Sequence, residues 1–90
     1  MFYVYVLISL KDRKLYIGRT PDLRSRIQKH LKGYVKATKN RRPVKLIYYE
    51  AYEQSPDARK REIYLKGGNG HQQLKIQLEQ AFIRNQYKFL

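Results

Sequence analysis

Glu62 is the carboxylate in this chain best placed to do chemistry, because the other acids mostly have structural duties. Asp22 and Asp57 each follow a proline at a helix start, where a negative charge meets the positive end of the helix dipole. Asp12 belongs to a turn in "SLKDRK", and Glu79 falls on an exposed helix face. Glu50 stands second to Glu62. Two-metal hydrolysis gathers several carboxylates around a pair of ions, and seven acids deployed in this way do not supply them. One carboxylate can hold a single magnesium or manganese ion whose shell is completed by water and a substrate phosphate. The competing reading is a surface ion pair between Glu62 and Arg59 or Arg61, which would contribute little.

Other side chains could serve the same chemistry. Tyr5 in "YVYVL" and Tyr16 in "LYIGRT" are 11 positions apart, and each is flanked by aliphatic residues. Arg26 and His30 follow, one helical turn from each other. The missing side chain of Gly18 would let a nucleic-acid backbone approach the strand end, where Arg19 would meet a phosphate. On a packing reading, Gly18 only relaxes the strand as it enters Thr20-Pro21.

The partner is suggested by charge. Twenty basic side chains against seven acids give +13 on 90 residues, a field that attracts polyanions. From Tyr34 to Tyr49 the chain carries Lys36, Lys39, Arg41, Arg42 and Lys45 and no acid. Nine tyrosines and three phenylalanines offer stacking surfaces, so a nucleic acid is favoured over a membrane or an acidic protein. Without cysteine there is neither a disulfide framework nor a thiolate metal site, and a histidine pair 41 positions apart makes no cluster. The apolar "MFYVYVLISL" lacks the flanks of a signal peptide and reads as a strand, so a cytoplasmic location is expected.

The elements that must position these groups fit one domain spanning residues 1–90. Phe2, Val4, Val6 and Ile8 alternate with Tyr3, Tyr5 and Leu7, which predicts a half-buried strand. Leu15 to Gly18 returns antiparallel to it with Leu15 and Ile17 on the core face, so Tyr5 and Tyr16 share the other face. Thr20 as N-cap, Pro21 and Asp22 open a helix whose buried stripe is Leu23, Ile27 and Leu31, and Gly33 closes it. An irregular basic segment from Tyr34 to Arg42 leads to a third strand in "VKLIYYEAY". Ser55 and Pro56 start a second helix that turns Ala58, Glu62 and Leu65 to one side and ends at Gly67-Gly68. A closing amphipathic helix at about 71–87 buries Leu74, Leu78, Ala81 and Phe82. The expected fold is mixed α/β, a largely antiparallel three-stranded sheet with flanking helices in the order β-β-α-β-α-α.

In this order the residues resemble the GIY-YIG nuclease superfamily, in particular its small stand-alone members, over about residues 2–68. "YVYVL" takes the place of the first motif and "YIG" at Tyr16 to Gly18 that of the second. Arg26, His30 and Glu62 match the family's helix arginine, its following His or Tyr, and its metal-binding glutamate. Tyr3 replaces the glycine of the first motif, and Gln73 or Leu74 stands where many members carry an asparagine. The resemblance implies phosphodiester cleavage in DNA, branched or damaged DNA included and RNA not excluded, in repair or recombination. It implies one Mg²⁺ or Mn²⁺ on Glu62, a general base in Tyr5 or Tyr16 with Tyr16 preferred, charge neutralisation by Arg26, and phosphate held by His30 and Arg19. The missing asparagine leaves a second expectation open, a non-catalytic DNA- or RNA-binding module.

Overall fold

A computed structural model describes residues 1–87. Eight elements follow one another: β1 (Phe2–Ser9), β2 (Leu15–Thr20), α1 (Leu23–Leu31), α2 (Lys36–Lys39), β3 (Val44–Tyr52), α3 (Ser55–Lys66), α4 (Gly68–Gln77) and α5 (Glu79–Arg84). The strands form one antiparallel sheet in the order β2-β1-β3, as the alternating apolar pattern leads one to expect.

β1 is the central strand, and this overturns the half-buried reading. Val4, Tyr5, Val6, Leu7 and Ile8 are all buried, because helices cover both faces of the sheet. On one face Val4, Val6 and Ile17 pack with Ala58, Leu65, Leu74 and Phe82 from α3, α4 and α5. On the other, Tyr5 and Leu7 pack with Val44, Tyr16 and Leu46 and with Leu23 and Ile27 of α1. The β1–β3 register shifts between Val6 and Leu7, leaving Ile47 without a partner. Both Ile47 and Tyr48 then pack on the α3 face.

Helix starts and stripes differ in detail from the sequence reading. The N-cap of α1 is Asp22, whose carboxylate accepts the Ser25 N–H at 3.1 Å. Thr20 remains the last residue of β2, and its hydroxyl oxygen accepts the Asp22 N–H. Leu31 is 46% exposed while His30 is fully buried, so the face turned to the sheet is Leu23, Arg26, Ile27 and His30. That face meets phenols as well as aliphatics, and a partly polar stripe suits it. Gly33, at φ 81°, closes the helix in the left-handed region.

The basic segment contains a short helix, α2, instead of irregular chain. It forms because Val35 and Thr38 are buried between exposed lysines, at a spacing of three. α3 has Gln54 as its N-cap, with Ser55 already helical. The closing segment is two helices that begin at Gly68, earlier than expected, and are interrupted at Leu78. Gly70 is buried against the Tyr64 and Leu65 backbone of α3, a close approach that only a glycine permits. No helix among the described residues is long and apolar enough to cross a membrane.

Candidate active site

Tyr5 sits at the centre of the polar cluster. It is 1% exposed, and its hydroxyl lies 2.7 Å from His30 Nε2. The Tyr16 ring is 6.3 Å from the Tyr5 ring and 5.1 Å from the His30 ring, centroid to centroid. The period-two alternation of the strands and the i, i+4 spacing of α1 therefore bring Tyr5, Tyr16, Arg26 and His30 to one place.

The Tyr5 phenol crosses β2 where Gly18 is its ladder partner. A Cβ on Gly18 would run into the Tyr5 hydroxyl and ring. Gly18 is thus glycine to admit the chain's own phenol, and this replaces the expectation that its open space serves a nucleic-acid backbone. Gly18 is itself buried.

Burial pushes the Tyr5 phenol up to about 12, against the lowering influence of Arg26, while the charges of Tyr16 and Glu62 add to the rise. Burial, assisted by the Arg26 charge, pulls His30 down to about 4. His30 is therefore a neutral imidazole near neutral pH, with one ring N–H and one acceptor nitrogen. Its second nitrogen, Nδ1, lies 2.7 Å from Thr38 Oγ1 of α2, and Thr38 is fully buried as well. The hydroxyl of Tyr5 beside it raises the pKa of Arg26, which stays a cation among the phenols.

Glu62 projects from α3, on the opposite face of the sheet, to the β2 edge. Its carboxylate is mostly shielded, with 16% side-chain exposure, and lies 3.8 Å from Arg19 and 3.2 Å from Lys66. Arg59 and Arg61 are not its partners among the described ion pairs, so the local pairing considered from sequence is corrected. Arg61 turns instead to Glu50, donating to it at 2.9 and 3.1 Å. Tyr48 and Tyr52 also donate to Glu50. Burial would raise the pKa of Glu50, but the hydrogen bonds from Arg61, Tyr48 and Tyr52 outweigh it and hold the carboxyl below its ordinary value. Glu50 is thereby committed to fastening α3 onto β3.

The cationic residues divide by role. Arg19, Arg26 and Lys29 line a depression of about 410 Å³ together with Thr20, Pro21, Asp22 and Ser25. Lys36, Lys39 and Arg42 are exposed, with Arg42 Nε donating to the Lys39 carbonyl. Arg41 is not available in the same way. Its guanidinium grips Asp12 at 2.7 and 3.2 Å and the Leu15 carbonyl at 3.3 Å. The Arg41 hydrogen bond is the main reason that Asp12 falls to about 2. Asp12 is in a turn, as expected, but sequence reasoning missed its partner 29 positions away. Thr38 was missed too, since only the chain reversal after Gly33 brings it to His30.

A hard cation has one carboxylate to use here. Among the described residues no three Asp, Glu, His or Cys side chains gather into a metal site. A shielded carboxylate with two loosely placed cations nearby fits an ion that keeps most of its water and takes a substrate phosphate. Where many family members have an asparagine, Gln73 accepts from Arg61 and Leu74 is buried in the core.

Such a set of side chains can serve phosphodiester chemistry, and the family the chain matches is one of catalytic domains. The chain belongs to the GIY-YIG family, whose catalytic-domain model matches residues 1–77. It is 43% identical over 77 residues to a UPF0213 protein of Clostridium perfringens, covering 84% of this chain and 82% of that one. A UPF0213 protein of Staphylococcus saprophyticus is 40% identical over 75 residues, covering 82% and 90%. One from Staphylococcus aureus is 39% identical over the same length and shares. No solved structure matches the chain. The family match extends through α4 and stops before α5. GIY-YIG domains are nuclease domains, so membership implies a nucleic-acid substrate.

Proposed function

We propose that this protein is a metal-dependent endonuclease that hydrolyses DNA phosphodiester bonds. The observation that carries the reading is the convergence of Tyr5, Tyr16, Arg26 and His30 beside the β2 edge, to which the shielded carboxylate of Glu62 also reaches. Glu62 would hold one Mg²⁺ or Mn²⁺, which when bound supplies Lewis-acid polarisation of the scissile phosphate and stabilises the leaving oxygen.

The chain's own groups would do the rest. Tyr16 is half-buried, whereas Tyr5 is enclosed, hydrogen-bonded to His30 and held at about 12. Tyr16 is therefore the phenol assigned to orient the attacking water and take its proton. Arg26, cationic and beside both phenols, would neutralise charge on the phosphoryl oxygens. Arg19 would exchange its long contact with Glu62 for a substrate phosphate. Lys36, Lys39 and Arg42 would hold the flanking backbone. Arg41 leaves this group because Asp12 already engages it.

The test is incubation with supercoiled plasmid and with branched DNA, with Mn²⁺ or with chelator. Nicking should need the metal and should fall by at least roughly 10² in Glu62→Gln, with DNA affinity retained. Full activity of a stable Glu62→Gln protein would refute the assignment. A second reading, a DNA- or RNA-binding module without turnover, is favoured by the placement of Gln73 and Leu74. It predicts salt-dependent binding and no cleavage by wild type under any of these conditions.

A further inference from the structure

Glu62 and Glu50 are shielded to nearly the same degree, with side-chain exposures of 16% and 12%, yet they are held very differently. Arg61, Tyr48 and Tyr52 donate to Glu50 at 2.5–3.1 Å. At Glu62 each carboxylate oxygen has one cation nearby instead: Arg19 Nε lies 3.8 Å from Oε1, and Lys66 Nζ lies 3.2 Å from Oε2. We propose that Arg19 and Lys66 form a releasable clamp on the Glu62 carboxylate, one that opposes a metal ion in the free protein and opens when a DNA phosphate takes the two cations, so that metal and DNA load together. The clamp rests on the reading of Glu62 as the metal ligand, and it gives Lys66 a part in the site.

Charge sets the direction. A hard cation entering beside Glu62 meets two positive side chains already placed at the two oxygens it needs. Among the described residues no group of three or more Asp, Glu, His or Cys side chains is there to offset that repulsion. Both contacts are also readily given up. Lys66 ends α3 with its side chain 55% exposed, Arg19 stands on the β2 edge at a long distance, and partly solvated ion pairs of this kind contribute little.

A DNA phosphate changes this balance twice. Arg19 also lines the depression that contains Arg26 and Lys29, so a phosphate seated there competes directly with Glu62 for its guanidinium. Its oxygens then enter the shell of an ion that a lone protein carboxylate leaves mostly hydrated. By linkage, whatever factor DNA adds to the affinity for metal, metal adds to the affinity for DNA. Glu50, locked by three donors, has no such exchange open to it.

Mn²⁺ binding to the DNA-free full-length protein, read from the electron paramagnetic resonance signal of the free ion, tests the clamp without cleavage. Lys66→Gln and Arg19→Gln should each tighten Mn²⁺ by about threefold, the size of a partly exposed ion pair. Lys66→Arg should return the wild-type value. Lys60→Gln, the same change of charge two positions from Glu62 and so on the other side of α3, should not move it. On a phosphorothioate duplex, which resists cleavage, Mn²⁺ at constant ionic strength should strengthen binding by wild type about tenfold more than binding by Glu62→Gln. Wild-type Mn²⁺ affinity in Lys66→Gln, an equal tightening in Lys60→Gln, or the same Mn²⁺ response of DNA binding in wild type and Glu62→Gln would each overturn the clamp alone. Mn²⁺ affinity unaltered by Glu62→Gln would remove the metal site, and the clamp with it. Coupled loading in a protein that cuts no DNA would support the clamp and fail the nuclease reading alone.

Discussion

Tyr5 and Gly18 face each other across the β1–β2 ladder, and the phenol of the first fills the space a side chain on the second would occupy. Gly18→Ala should therefore act through Tyr5. The added methyl would displace the ring from His30 and force the packed layer beneath α1 to adjust. Overpacking of this kind costs about 1–3 kcal/mol. Chemical denaturation should register that loss, and the His30 ring resonances should shift. Wild-type stability with unmoved resonances would show that the ring can step aside freely.

Stability should fall as the pH drops below the ordinary range of histidine. His30 moves from 6.5 to about 4 on folding, so the unfolded chain binds a proton that the folded chain refuses. The contribution is complete above about pH 6.5 and is lost as the pH falls to about 4, up to roughly 3 kcal/mol. Asp12 acts lower, since its depressed pKa gives stability that is present above 3.8 and lost as the pH falls through about 2. Denaturation curves across both windows check this. His30→Gln should flatten the upper window and leave the lower one. A persistent upper slope in that variant would assign it to another group.

Arg41 and Arg42 are neighbours with different expected roles. Arg41→Ala should lower Tm by a few degrees by freeing Asp12 and the turn that carries it, and leave the salt dependence of DNA binding unchanged. Arg42→Ala should keep Tm and reduce the slope of log affinity against log salt by about one unit. Equal effects of the two substitutions on the salt slope would return Arg41 to the binding surface.

Arg26→Lys tests the planar fork. Lysine keeps the charge beside Tyr5 but cannot address two oxygens at once, so cleavage should fall by roughly 10² while the melting curve is preserved. Turnover near wild type would mean that a point charge is sufficient.

The sequence by itself determined the strands, the shared face of Tyr5 and Tyr16, the one-turn spacing of Arg26 and His30, and the inward phase of Glu62. All of these are properties of period two or period 3.6, written locally. It also made Glu50 a secondary candidate, and the tertiary structure removed it, because Arg61 arrives from 11 positions away. The burial of both faces of β1 could not be read from alternation alone, since Tyr3 and Tyr5 look outward on a two-sided pattern until α1 covers one of them. The helix in the basic segment escaped for a related reason. It is only Lys36–Lys39 long, too short for a period to show, and it exists because Val35 and Thr38 have a packed surface to meet. Contacts that close long loops decided the rest: Asp12 with Arg41, Arg19 with Glu62, and Thr38 with His30. Residue type permits each of them, but only the folded path of the chain brings the partners within hydrogen-bonding or ion-pairing reach.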